Sequence, residues 1–190
     1  MKVYTGGGDK GKTSLFSGER VAKYSLRIDS YGDLDELNSV IGAIHSHLPE
    51  NTESIKNELL HIQARLFQAG AWLATTPESS AIDFLEELEE SVVKDLENKI
   101  DELTAELTPL KEFILPGGTP GASWAHIGRT VCRRCERKVT QLVEEEKGSK
   151  IDSALQVILV YLNRLSDYLF VVARFANKAE GRPDQVWRQP

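Results

Sequence analysis

His126, Arg129, Arg133, Glu136 and Arg137 recur at three- and four-residue spacing within FILPGGTPGASWAHIGRTVCRRCER, residues 113 to 137. At about 100° of rotation per residue, a helix gathers them within roughly a third of its circumference and turns Trp124 and Cys135 away. The row then presents His126, Glu136 and the guanidiniums of Arg129, Arg133 and Arg137 on one face. Solvated helix faces commonly interleave charges of opposite sign at i,i+4 spacing. A row dominated by Arg suits bidentate recognition of phosphate instead. An ordinary charged face is the alternative reading, and the N-terminal sequence bears on the choice.

There, GGGDKGKT at residues 6 to 13 satisfies the pattern G-x-x-x-x-G-K-[ST] literally. That pattern cradles nucleotide phosphates when it follows a strand and opens a helix. In this chain Thr13 leads into Ser-Leu-Phe-Ser-Gly, which does not start a helix, and everything beyond residue 25 reads as helical. Glycine amides, hydroxyls and Lys can surround phosphate without the P-loop fold. The stretch from residue 5 to 23 therefore predicts a long nucleotide-binding loop. A flexible terminus without ligand is the competing reading.

Helices must position these groups. Apolar residues at helical spacing predict one helix from Ser25 to about His47, a second from about Thr52 to Thr75, and a third from 84 to about 105. Asp29, Asp33, Asp35 and Glu36 cluster early in the first, where the helix dipole favours negative charge. The Arg-bearing helix follows a Gly/Pro loop at 109 to 120, and a last helix spans about 149 to 178. That last one is apolar around most of its circumference and should be central, with Asn163, Arg164 and Asp167 interrupting it. Glu58 and His61 form a single E-x-x-H, too little for a di-iron site.

The 190 residues suit one domain: an N-terminal segment 1–24, a helical bundle 25–180 and a tail 181–190. A net charge of −6 argues against nucleic acid or an anionic membrane as the main partner. With no apolar leader and no uninterrupted apolar run of about 18 residues, a soluble cytoplasmic protein is expected. Cys132 and Cys135 form a C-x-x-C lacking both further zinc ligands and a redox context, so two reduced thiols are expected. The predicted fold is an all-α, five-helix antiparallel bundle with an extended Gly-rich N-terminal loop.

Three segments together resemble the PduO-type ATP:cob(I)alamin (corrinoid) adenosyltransferases: TGGGDKGKTSL at 5 to 15, YGDLDELNS at 31 to 39, and residues 113 to 137 with LNRLSDYLF at 162 to 170. The resemblance implies a homotrimer with ATP and cobalamin bound between subunits, and attack of Co(I) on C5′ of ATP with release of triphosphate. It assigns ATP contacts to Thr5, Gly6, Gly7, Gly8, Thr13, Ser14, Lys23, Arg133, Arg134, Cys135, Glu136, Arg137 and Asn163, with Mg2+ carried on ATP near Glu136. Arg133 would be the main transition-state contact, and Asp35 with Arg129 an ion pair beside the corrin. Phe113 would lie below the ring, where its bulk displaces the lower nitrogen ligand of Co(II). Gly6 departs from the basic residue common there, and Lys12 completes the Walker pattern by accident. A corrinoid reductase and an adenosylcobalamin-dependent enzyme are implied partners. A P-loop-like ATP hydrolase and a non-catalytic interaction module remain the alternatives.

Overall fold

Tyr4 and residues 6–189 are described by a computed structural model, in which five α-helices carry the fold. They are α1 (Leu26–His47), α2 (Glu53–Leu73), α3 (Ser91–Ala105), α4 (Pro120–Glu145) and α5 (Asp152–Ala179). Helix α1 packs against α2 and α4, while α5 packs against α4, α3 and α2. Leu155, Ile158, Leu162, Leu165, Leu169 and Val172 of α5 are all fully buried, so this helix is the core. By length and composition α5 could also cross a membrane, but 56% of its apolar window lies inside the bundle, as in a core helix.

Close approach of α1 and α4 depends on Gly128. A Cβ there would stand 3.1 Å from Ile44 Cδ1 and 3.3 Å from Val40 Cγ1. Polar contacts reinforce this seam: Arg134 Nε reaches Asp33 at 3.2 Å, and Lys138 Nζ reaches Asp33 at 3.2 Å and Asp29 at 3.4 Å. Only Asp29 lies in the first turn of α1, so pairing with α4, rather than the helix dipole, accounts for Asp33.

Two segments differ from the sequence expectation. Residues 6–23 of the expected loop are not all loop, because β1 (Lys12–Ser14) and β2 (Arg20–Ala22) pair antiparallel, with Thr13 opposite Val21. The Lys-Thr of the Walker pattern thus enters a strand where a P-loop would open a helix, which removes the P-loop fold. The third helix starts at Ser91, not at 84: a 3-10 turn covers Ser80–Phe84, and non-helical backbone follows to Glu89. The main chain there has better partners than its own helix, since Trp72 Nε1 donates to Glu86 O at 2.8 Å and Leu88 is buried.

Cys132 and Cys135 are buried free thiols, whose sulfurs face Leu162 O at 3.2 Å and Ser30 O at 3.7 Å. Burial pushes the Cys135 thiol up to about 12 and raises Cys132 well above its ordinary value. Both therefore stay protonated at neutral pH, with no thiolate for metal or disulfide chemistry. No group of three metal-ligating side chains occurs among the described residues. Iodoacetamide at pH 8 should leave the native protein unmodified and alkylate both cysteines after unfolding, as read by mass spectrometry; rapid native modification would contradict this placement.

Arg27, 8% exposed, closes the bundle at one end. Its Nη1 donates to Leu73 O at 3.1 Å and Thr75 O at 2.8 Å, and Nη2 pairs with Glu146. Arg27→Met should cost about 3 kcal/mol in urea unfolding, because it strands Glu146 and two carbonyls. A loss below about 0.5 kcal/mol, the size of an ordinary surface change, would contradict that role.

Candidate active site

Helix α4 begins at a Gly/Pro loop for local reasons. Thr119 Oγ1 accepts a hydrogen bond from Ala122 N at 3.2 Å, and Pro120 occupies the first turn, where its missing N–H costs nothing. Flanked by α1 and α5, α4 leaves one strip open, and its charged row straddles that strip. Arg133 and Arg137 are exposed, with Arg137 Nη1 on Arg133 O at 2.9 Å. Glu136 turns towards α5, where its carboxylate accepts from Asn163 Nδ2 at 2.8 Å. Asn163 Oδ1 accepts from Arg164 Nη1 at 2.6 Å, and Arg164 Nε pairs with Glu97 of α3 at 2.9 Å. The structure therefore brings Arg133, Glu136, Arg137 and Asn163 together, with the carboxylate and amide held from behind.

Other residues of α4 expected in the site, or on the same row, point elsewhere. Arg134 pairs with Asp33 and Glu36 on α1, and Cys135 lies in the core. His126 is buried with Nδ1 unpartnered, edge-on to Phe170 at 6.0 Å. Burial first, and then Arg129, push its imidazole below the ordinary value, while Asp184 opposes them. Arg129 is half-buried, and its Nε is enclosed without a partner.

The hairpin carries the second group. Lys23 folds back on Gly8, where a Cβ would stand 3.0 Å from Nζ, and Lys23 N donates to Gly11 O at 2.9 Å. Arg20 Nη2 holds Gly7 O at 2.6 Å. Gly6 and Gly11 adopt φ of +70° and +72°, which favour glycine. Thr5 lies outside the described residues. Thr13 and Ser14 border a cavity of about 480 Å3 that is also lined by Phe16, Tyr31, Asp35 and Phe67.

These two groups are carried by different elements of the chain. Ser17 and Glu19 fasten the hairpin to Ala74 and Thr76 at the end of α2. Among the described residues, no hydrogen bond or ion pair joins residues 12–22 to α4 or α5. Asp35 stands about 160° around α1 from Asp33, the residue paired with α4. It consequently forms no ion pair with Arg129 in this chain.

Phe113 is 82% exposed, so it is not a core plug. Its backbone is nevertheless fixed: Trp187 N donates to Phe113 O at 2.8 Å, and Leu115 N donates to Gln185 O at 2.7 Å. The sequence reading missed that tail, along with Arg20 and the aromatic wall of Phe16 and Phe67. Tail pairing leaves no periodic trace over three residues. Exposed aromatics flanking the acidic and hydroxyl-rich segments were the available signal for the wall.

Comparison with known proteins gives these faces a family. Residues 3–176 match the family described as cobalamin adenosyltransferase. The corrinoid adenosyltransferase of Bacillus subtilis is 46% identical over 186 residues, spanning 97% of this chain and 91% of that protein. The cobalamin adenosyltransferase of Cupriavidus metallidurans is 43% identical over 188 residues, spanning 99% and 95%. A Phe-to-Ala variant of the PduO-type ATP:corrinoid adenosyltransferase from Lactobacillus reuteri, solved with cobalamin and ATP, shares the fold with a TM-score of 0.88 at 40% identity, covering 99% of this chain and all of that one. An Arg-to-Lys variant of the L. reuteri enzyme, solved with ATP, gives 0.86 at 40%, covering 98% and all of that chain. With likeness of this extent in both sequence and fold, the chain belongs to the cobalamin adenosyltransferase family, as a corrinoid adenosyltransferase of the PduO type.

Proposed function

We propose that the protein transfers the 5′-deoxyadenosyl group of ATP to the Co(I) centre of a reduced corrinoid, in sites completed between chains of a homotrimer. The Co(I) electron pair attacks C5′, the cobalt–carbon bond forms, and the C5′–O bond breaks with its electrons leaving on triphosphate. Cobalt is thereby oxidised formally to Co(III). The observation that carries this reading is the division of phosphate-type donors between two elements, the N-terminal hairpin and α4 with its neighbour α5. Arg133, Arg137 and the Glu136–Asn163 pair stand on the α4/α5 face, while Thr13, Ser14, Lys23 and the Gly6–Gly8 backbone stand on the hairpin. A neighbouring copy would bring one face against the other, and would set Arg129 opposite Asp35 beside the corrin.

In this arrangement the hairpin amides and Lys23 bind the triphosphate, and Arg133 stabilises the charge that grows on the leaving oxygen. Arg134 and Cys135 contribute to the nucleotide shell through the helix that carries them, since their side chains are already engaged. Magnesium suits this set as an ion carried on the phosphates, with the Glu136 carboxylate held beside Asn163 to help, because Mg2+ is commonly held by one or two carboxylates plus phosphate oxygens. A corrinoid reductase upstream, an adenosylcobalamin-dependent enzyme downstream and a cytoplasmic setting complete the proposal. Incubation with ATP, Mg2+ and chemically reduced cobalamin tests it: triphosphate and adenosylcobalamin should appear together. Orthophosphate released from ATP alone would indicate a hydrolase, and no turnover a binding module.

Arg133→Lys keeps the charge but loses the fork. It should lower turnover on the order of 10²–10³-fold, as for loss of a preorganised donor, while the protein stays folded. Near-normal turnover would remove Arg133 from the reaction. Phe113→Ala should change stability by less than about 0.5 kcal/mol, given its exposure. It should nonetheless slow adenosylation that starts from Co(II) cobalamin, leave KM for ATP little changed, and affect corrinoids lacking the lower nucleotide less. Equal losses with both corrinoids would contradict a role at the lower face.

A further inference from the structure

The loop that presents Phe113 has no helix or strand of its own beyond an isolated bridge at Ile114, yet two buried side chains of α5 grip it from behind. Arg174, 6% exposed on α5, donates from Nη2 to Thr108 O at 2.7 Å and from Nε to Asp184 Oδ2 at 2.7 Å. One turn later Asn177, also buried, donates from Nδ2 to Gly117 O at 3.0 Å and accepts from Thr119 N at 2.9 Å. Gly118 admits that side chain only because it has no Cβ, which would fall 2.0 Å from Asn177 Oδ1; its φ of +121° also favours glycine. The loop is thus pinned at 108 and again at 117–119. Between those pins, the tail after Asp184 runs antiparallel to residues 113–115, joined by the Ile114–Val186 bridge and its two flanking hydrogen bonds.

We propose that Arg174, Asn177 and Asp184 are positioning residues that latch the C-terminal tail onto this loop and thereby set where the Phe113 ring stands. None of the three needs to touch substrate. Arg174 reads the loop through Thr108 and the tail through Asp184, so a shift of either strand is resisted by the same guanidinium. Asp184 is the weak point, because its Oδ1 is enclosed without a partner and a single bond from Arg174 holds the other oxygen. A general structural role predicts lost stability alone. A positioning role predicts a selective effect on the step that Phe113 governs. The inference rests on the Phe113 reading given above, and the test separates the two.

The test uses the full-length protein with ATP and Co(II) cobalamin, reading the axial-nitrogen splitting of the cobalt EPR signal, turnover from Co(II), KM for ATP and the melting temperature. The wild type should show a fraction of cobalt without that splitting. Asp184→Asn should shrink that fraction and slow turnover about tenfold, within the range that a misplacement of about 1 Å costs. KM for ATP should stay within about twofold, as the nucleotide contacts are untouched. Arg174→Lys should behave alike, since an ammonium cannot keep both bonds, and Asp184→Glu should recover part of the loss. Wild-type spectra and turnover in Asp184→Asn, or losses that track melting temperature or the KM for ATP alone, would overturn the latch. If Phe113→Ala leaves the spectrum unchanged, the underlying reading fails and the latch with it. If Phe113→Ala alters the spectrum and Asp184→Asn does not, the latch alone fails.

Discussion

A helix clamped on two sides has only a narrow strip left for chemistry, and α4 is such a helix. Its contact with α1 is set by Gly128, whose missing side chain lets Ile44 and Val40 come within van der Waals reach. Val139, Cys132 and Cys135 fill the interior beneath it. What remains outside is the strip bearing Arg133 and Arg137, with Glu136 at its edge. The close packing of α1, α4 and α5 is therefore what aims the guanidiniums, since interiors at this density do not let a helix roll. Arg134 and Lys138, bound to Asp33, oppose the same rotation from the α1 side.

Long connections in this bundle are held by side chains that donate to backbone carbonyls. Arg27 ties down the end of α2, Trp72 the strap before α3, and Arg174 with Asn177 the loop before α4. A connecting segment has carbonyls with no helical partner, and burying one unpaired costs about 1–3 kcal/mol. Satisfying them from a rigid helix both recovers that cost and fixes the segment in place. The same device leaves Phe113 exposed on a backbone that cannot wander, which is the condition for an apolar ring to act on a ligand.

The helical bundle was legible in the sequence because burial imposes the 3.6-residue period directly: the boundaries expected for α1, α2 and α5, and the start expected for α4, fall within a few residues of those found. The third helix was overextended for the same reason. Leu85 and Leu88 fit its apolar stripe, but they pack on the core from a strap docked on Trp72, a tertiary partner that no local pattern encodes. The charged row was legible as a row, but the engagement of Arg134 beside it was not, because Asp33 and Glu36 lie about a hundred residues upstream and capture it. Asp35 looks equivalent to Asp33 in sequence. Two residues of helix turn it to the opposite side.

In the proposed reaction Asp35 meets Arg129, and the hairpin donors meet those of α4, between copies of the chain, and the account stands on that meeting. Co-expression of the Arg133→Lys chain with a chain carrying Thr13→Ala and Lys23→Ala tests this most directly. Each variant alone damages one half of every site. In a random equimolar ring, about a quarter of the sites would draw both intact halves from different chains. Recovered adenosyltransferase activity near that fraction of wild type is the predicted result, with the mixed assembly sizing as a trimer. Activity no higher than the average of the two separate variants would place the whole site within a single chain and contradict the account.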